Sequence, residues 1–408
     1  MKTVVVGAGP AGLMAAGSIK NGTVLVLEQN EKPGKKLYIT GKGRCNITND
    51  CELEQLLKNV VTNQRFLYSA FSRFLPSDTI VFFEAHGVPL KTERGGRVFP
   101  ASDKASDITA ALKKAAQENG AQIRLTATVQ SVWKDHKQQK FKISLVNGEE
   151  LTADNLILAT GGASYPLTGS KGDGYRFARQ LGHTVIPPRA ALVPILVTES
   201  VKSLEGLSLK NVSVSANINR KKYCEFGEML FTADGMSGPC ILSLSSFLSG
   251  AGVSEGTALA IDLKPALSKA QLDTRILRDF DSCKNKQLKN ALFDLLPKSL
   301  IPYIIQAGGF SGEEAINSVT KEQRARLVDT FKNLTFYIKA LEVLEKGIVT
   351  GGGVDVKEIN PKTMESKLVK NLYFAGELID VDALTGGFNI QIAISTGYLA
   401  GSSAGEKL

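Results

Sequence analysis

Two acids and one basic–polar triplet are the residues of this chain whose types and spacing could do chemistry. Glu28 closes the apolar run Thr23-Val24-Leu25-Val26-Leu27 and falls 21 residues after Gly7 of the loop Gly7-Ala8-Gly9-Pro10-Ala11-Gly12. An acid at that distance from a G-x-G-x-x-G loop is where a ribose hydroxyl would be met. Glu377 follows the apolar run Leu372-Tyr373-Phe374-Ala375 and Gly376, and Gly386-Gly387 then opens a stretch of small residues. An acid there could hold the hydroxyls of a ribityl chain, and a helix starting at Gly387 could stabilise negative charge gathering on a reduced flavin ring. The triplet is Arg44-Cys45-Asn46, preceded by Gly43. Arg44 could offset charge on a reduced flavin or hold a substrate carboxylate, and Asn46 could hydrogen-bond the ring; equally, both could only brace their loop. Cys45 as a reactive thiol lacks a neighbouring cysteine to resolve it.

These residues need elements to position them. Val4-Val5-Val6 reads as a strand feeding the glycine loop. Gly7 permits the tight turn, Gly9 lets the backbone approach a pyrophosphate, and Gly12 lets the following helix pack on the strand. That helix would aim its unpaired N–H groups and positive dipole end at the phosphates. A second strand, Asp154 to Ala159, ends in Thr160-Gly161-Gly162, which either turns beside a nucleotide or is an ordinary strand-to-loop turn. Helical patterns run over 52–60, 63–75 and 102–120, the last with Ser102 as cap and Gly120 as stop. Strand-like segments follow at 122–134 and 140–146, with a hairpin turn at Asn147-Gly148. After Pro187-Pro188, Val212, Val214, Ala216 and Ile218 alternate with polar residues, and short strands near 229–232 and 258–263 suggest a small barrel or sandwich. From 268 to 346 the pattern reads as helical, with a capping box at Thr320-x-x-Gln323. The expected fold is α/β. A Rossmann-like dinucleotide-binding domain is built from residues 1–188 and 348–408, with an inserted domain over 189–347 made of a β-barrel (189–266) and a helical piece (267–347).

Composition narrows the function classes. The chain has 408 residues, 43% hydrophobic and 22% charged, ordinary for a globular protein with a substantial core. It has no apolar run of about eighteen residues, so a membrane span is not expected, and the first strand starts too close to Met1 for a signal peptide; a cytoplasmic protein is expected. The five cysteines form no C-x-x-C, and the three histidines, His86, His136 and His183, lie far apart, so no zinc site or Ser-His-Asp set is indicated. His86 and His183 neighbour glycines at helix ends, where capping is expected; Tyr165 reads as packing or as a residue that reaches substrate. The net charge of +9 permits a nucleic-acid partner, but the basic residues are dispersed, and an anionic cofactor explains them as well.

The motifs in this order resemble the two-dinucleotide-binding-domain flavoproteins. More narrowly, Gly34-Lys35-Lys36-Leu37, Thr40-Gly41-Lys42-Gly43-Arg44-Cys45-Asn46-Ile47-Thr48-Asn49, Arg97-Val98-Phe99-Pro100, Leu230-Phe231-Thr232, Ser237-Gly238-Pro239, Thr350-Gly351-Gly352-Gly353-Val354 and Met364-Glu365-Ser366-Lys367 are similar to a bacterial group that includes aminoacetone oxidase and the bile-acid-pathway flavoprotein reductase BaiN. The resemblance spans nearly the whole chain. It departs at Ala233, where the group often has a histidine after Phe-Thr, so no role passes to that position. The resemblance implies non-covalent FAD, with Gly7, Gly9, Ala11 and Gly12 at the pyrophosphate. It puts Glu28 on the adenosine ribose with Gln29 and Lys36 near it, and the Val129 backbone on adenine. Glu377 would take the ribityl chain, and Asn389 and Ile390 the pyrimidine edge of the flavin. The expected activity is an FAD-dependent oxidoreductase passing hydride through flavin N5 to or from a small organic substrate. It is either a reductase fed by NAD(P)H docking at the flavin, since no second glycine loop marks a separate nicotinamide domain, or an amine-type oxidase. The readings left beside it are an FAD-containing, tRNA-associated protein, a regulator without turnover, and NAD as the bound ligand.

Overall fold

The computed structural model describes residues 1–135 and 137–406, with Lys42 described by its backbone alone; His136 lies outside the described residues. Chain contacts divide it into two compact units, 1–191 with 343–408, and 192–342.

The first unit is organised by a five-stranded parallel sheet. Its central strand Lys2–Val6 pairs with Thr23–Leu27 on one side and Asn155–Leu158 on the other; Gln122–Arg124 and Leu372–Phe374 complete the edges. Asn155–Leu158 is buried throughout, as a parallel strand covered on both faces must be. Strands from both ends of the chain therefore share one sheet. The helix Pro10–Ser18 lies against the closing helix Phe388–Glu406, and small residues set the spacing: a Cβ on Gly397 would sit 2.3 Å from the Ala11 carbonyl oxygen, and one on Gly401 2.2 Å from that of Ala15. Both helices lack a polar face because both are buried. A three-stranded antiparallel sheet, Val129–Asp135, Lys140–Leu145 and Glu150–Ala153, turns at Asn147-Gly148, where Leu145 N–H donates to Glu149 O at 2.9 Å.

The second unit contains a closed six-stranded barrel. In Ser208–Ile218 the alternating Val212, Val214, Ala216 and Ile218 are buried. Helices Lys269–Asp281, Leu288–Ala291, Ile301–Gly308 and Lys321–Lys332 follow, and Thr320 and Gln323 form the expected capping box. The expectation of helix through to 346 fails at Leu334–Leu341. That stretch is a strand pairing with Ile195–Val197 and Ala258–Asp262 to close the barrel, and its buried Leu334, Phe336 and Ile338 carry the two-residue period that identifies it. Ser102 is likewise not a helix cap. The helix starts at Ala105, and Ser102 Oγ accepts from Lys104 N–H at 3.3 Å and donates to Asp107 at 2.6 Å.

Candidate functional site

At the Gly7 end the backbone makes the site. Gly7 takes a positive φ of 104°, and a Cβ on it would lie 2.4 Å from the Ala159 carbonyl oxygen; one on Gly12 would lie 1.9 Å from that of Gly7. No side chain fits either place. Gly9 differs: a Cβ there meets nothing within 4 Å, so open space lies over the N-terminus of Pro10–Ser18. The first helical bond is Leu13 N–H to Gly9 O, 2.9 Å, which leaves the N–H groups of Ala11 and Gly12 ahead of the ladder. Positive dipole, free donors and open space together suit a pyrophosphate.

Glu28 is buried beside this loop. Its carboxylate accepts from Ala8 N–H at 2.8 Å and from Asn30 N–H and Nδ2 at 2.9 and 2.7 Å. A carboxylate offers about four lone-pair positions, so one is left for a hydroxyl. Gln29 Nε2 donates to Gly169 O at 2.6 Å, and Ala127 N–H donates to Glu28 O at 2.8 Å, bringing the buried Val129 to the same corner.

The other acid is held by groups far away in sequence. Gly376, at φ 74°, donates its N–H to Thr396 Oγ1 at 2.9 Å, and a Cβ on it would lie 2.8 Å from the Ala11 side chain. The two glycine motifs thus touch. The Glu377 carboxylate accepts from Thr350 N–H at 2.7 Å, from Ser164 Oγ at 3.3 Å and from Lys36 Nζ at 2.8 and 3.0 Å. Here the expectation for Lys36 needs correction: its ammonium lies on Glu377 and Ser164, not at the Glu28 corner. Thr160 and Gly161 (φ 75°) follow the strand Asn155–Leu158, and the Thr160 hydroxyl is buried without a partner.

Gly387 (φ 97°) opens the closing helix so closely over Thr48 that a Cβ would lie 2.3 Å from its carbonyl oxygen. The first bond of that helix is Gln391 N–H to Gly387 O at 3.0 Å, so the N–H groups of Asn389 and Ile390 precede the ladder. The Asn389 side chain does not reach out to a ring edge. It accepts from Ala383 N–H at 2.9 Å and donates to Ala383 O at 2.7 Å, leaving its backbone donor for a ligand.

The triplet resolves residue by residue. Arg44 braces: it donates to Glu93 at 2.7 Å and Asp103 at 3.4 Å and stacks over Phe99 at 4.1 Å. Cys45 is fully buried at φ 61°, and burial pushes its thiol up to about 12, opposed by a hydrogen bond with Thr40, which removes it as a reactive thiolate. Asn46 Oδ1 is buried and accepts nothing, while Gly43 (φ 87°) makes the turn before the triplet. Tyr165 starts a turn anchored by its N–H to Glu345 O at 3.0 Å. His86 caps its helix, with Nδ1 2.7 Å from Phe82 O. His183 does not cap with its ring: Nδ1 lies 3.1 Å from Glu358 and Nε2 2.8 Å from Ser366 Oγ.

Sequence reasoning missed Thr350 and Ser164 as partners of Glu377, and Asn49, whose Nδ2 donates to Gly95 O and Gly386 O at 2.9 and 3.1 Å. Only the places of Thr350 and Asn49 within the quoted motifs hinted at them. A flavin dinucleotide fits what is present. An open helix N-terminus after Gly9, a second helix N-terminus after Gly387, buried unpartnered oxygens on Asn46 and Thr160, and an acid at each end match its phosphates, ring and hydroxyls.

Residues 1–403 match the family described as HI0933-like protein Rossmann domain. The chain is 34% identical over 413 residues to a Haemophilus influenzae protein named ribosomal RNA dihydrouridine synthase, covering 100% of this chain and 99% of that protein. It is 30% identical to the 3-dehydro-bile acid delta(4,6)-reductase of Clostridium scindens, covering 99% and 98%. Among solved structures, the 3-ketosteroid-delta4-(5alpha)-dehydrogenase of Rhodococcus jostii RHA1 shares the fold, with a TM-score of 0.54 at 14% identity over 99% of this chain and 96% of that one. The chain therefore belongs to the HI0933-like Rossmann-domain family.

Proposed function

We propose that this protein holds FAD non-covalently between its two chain ends and, with NAD(P)H as electron donor, saturates a carbon–carbon double bond conjugated to a carbonyl. The observation that carries the reading is the contact of the two glycine motifs, Gly376 against Ala11, with Lys36 bonded to Glu377 across the same region. One long anionic ligand explains both acids, both helix termini and the orphaned oxygens. When bound, the flavin supplies two-electron hydride chemistry.

The chain's own residues divide the rest. The N–H groups after Gly9 take the pyrophosphate, and Glu28 accepts from the adenosine ribose. Glu377, held by Thr350 and Lys36, accepts from the ribityl hydroxyls. Asn46 Oδ1 accepts from the ring, and the N–H groups of Asn389 and Ile390 face the edge where negative charge collects on reduction. The substrate class follows from what two relatives' names share. A delta(4,6)-reductase of a 3-dehydro-bile acid and a dihydrouridine synthase both imply reduction of a ring double bond conjugated to a carbonyl.

A small enone is the leading substrate. A uracil of ribosomal RNA is the second reading, favoured by the name of the 34% relative. Anaerobic mixing of the yellow holoprotein with NADH or NADPH should bleach the flavin, and a steroid 4-en-3-one or ribosomal RNA should restore the colour. Dihydrouridine in the RNA would select the second reading. A preparation that stays colourless with excess FAD sinks the proposal, and a flavin bleached by neither nicotinamide removes the reductase.

A further inference from the structure

The start of the closing helix is held by a buried cluster of side chains that nothing above uses. Gln391 lies in the first turn of Phe388–Glu406 and is fully buried, as are Thr48, Thr79 and Ser395 around it. Its Oε1 accepts from Thr48 Oγ1 at 2.6 Å and from Thr79 Oγ1 at 2.8 Å. Its Nε2 donates to Phe74 O at 3.1 Å and to Ser395 Oγ at 2.9 Å, and Ser395 Oγ donates in turn to Phe74 O at 2.7 Å. A side-chain amide offers two donors and two acceptor positions, so Gln391 has none left over. Phe74 O can only accept, which fixes which way round the amide stands. The partners outside the helix come from three places: the strand Thr48–Asn49, the helix Pro76–Ala85, and the residue closing the helix Tyr68–Arg73.

An apolar side chain would fill this space without desolvating an amide and three hydroxyls. A fully satisfied polar cluster instead fixes one position and one rotation for the helix that carries it. The grip lies where position matters. Thr48, which holds the Gln391 amide, is also the residue whose carbonyl Gly387 crowds, and its neighbour Asn49 donates to Gly386 O at 3.1 Å. The Asn389 side chain is itself tied to Ala383 and Leu384. The N–H groups of Asn389 and Ile390 that precede the ladder belong to the turn these anchors hold. We infer that Gln391 is a positioning residue for the flavin: clamped by Thr48, Thr79 and Phe74, it aims the helix N-terminus at the pyrimidine edge and so favours reduced over oxidised FAD. This rests on the reading of the protein as an FAD-dependent oxidoreductase. Hydride uptake from NAD(P)H, which leaves as NAD(P)+, adds one negative charge to the bound flavin. A helix N-terminus stabilises that charge only while its donors stay aimed at it. A helix free to turn or tilt loses the aim and keeps the fold.

The test is the two-electron midpoint potential of the bound flavin, titrated against a reference dye. The visible spectrum of the wild type is taken first, so that failure to load FAD, which would undo the underlying reading, is seen separately. Gln391→Met keeps the length of the side chain and removes all four bonds. Its loaded form should hold reduced FAD about tenfold less tightly relative to oxidised FAD, a potential about 30 mV lower. Thr48→Val should shift the potential the same way by less, and Thr48→Ser, which keeps the hydroxyl, should stand at the wild-type value. A potential unchanged in both Gln391→Met and Thr48→Val overturns the inference and leaves the cluster as core packing, its loss read in melting temperature alone. If Gln391→Met fails to fold or sheds FAD, the comparison of Thr48→Val with Thr48→Ser decides.

Discussion

The two ends of the candidate site are built by opposite means. Around Gly7–Gly12 the decisive atoms are backbone: a carbonyl oxygen 1.9 Å from where a Cβ on Gly12 would stand, and helix N–H groups facing open space over Gly9. Around Glu377 the decisive atoms are side chains brought from a distance, Lys36, Ser164 and Thr350. The first end is defined by what is missing, a Cβ. The second is defined by which residues happen to meet. Tolerance to mutation should differ accordingly, because a backbone clash has no compensating rotamer whereas a polar cluster can lose one member and keep the others.

Gly12→Val strikes the backbone end and should have the largest effect. With the Gly7 carbonyl in the way, the loop must move, and FAD affinity should fall by more than about 100-fold, read from flavin retained after gel filtration. A yellow variant would break the comparison. Glu377→Gln and Lys36→Met strike the other end, and each should weaken FAD roughly 10- to 100-fold, about 1.4–2.7 kcal/mol. The double variant should fall short of their sum, because each single change strands the partner; strict additivity would mean that the pair is not a unit.

His183 buttresses the strand that delivers Glu377, its ring edge-on to Phe374 at 4.8 Å. Burial lowers its pKa from the ordinary 6.5, against the pull of Glu358. The unfolded chain therefore takes up a proton that the folded one refuses. Stability is fully present above pH 6.5 and is lost as pH falls below it, with a slope of at most about 1.4 kcal/mol per pH unit. In His183→Gln the slope of melting temperature between about pH 6.5 and 5 should flatten. The smallest effect belongs to Arg44→Lys. The pair with Glu93 and Asp103 is solvated, so FAD affinity should change by less than about threefold. A larger change would return Arg44 to the flavin.

Much of the first end was legible because its constraints are local. Gly7, Gly9 and Gly12 sit within one turn and one helix start, and the acid Glu28 is one strand away. The alternation of Val212, Val214, Ala216 and Ile218 exposed a barrel strand for the same reason. Leu334–Leu341 carried the same signal, but its helical surroundings hid it until pairing with Ile195–Val197 and Ala258–Asp262 made it a strand. The partner of Lys36 was not legible because a long side chain can turn to any of several acids, and of the two roles left open for Arg44 the structure shows the brace.

The sequence alone determined where the backbone must bend and which faces must be buried, since a missing Cβ and an apolar period act over a few residues. Only the tertiary structure decided that Lys36 would meet Glu377 and Arg189 would meet Asp382, partners 341 and 193 positions apart. Such pairings follow from the order of strands in a sheet shared by both chain ends, and no local pattern encodes that order.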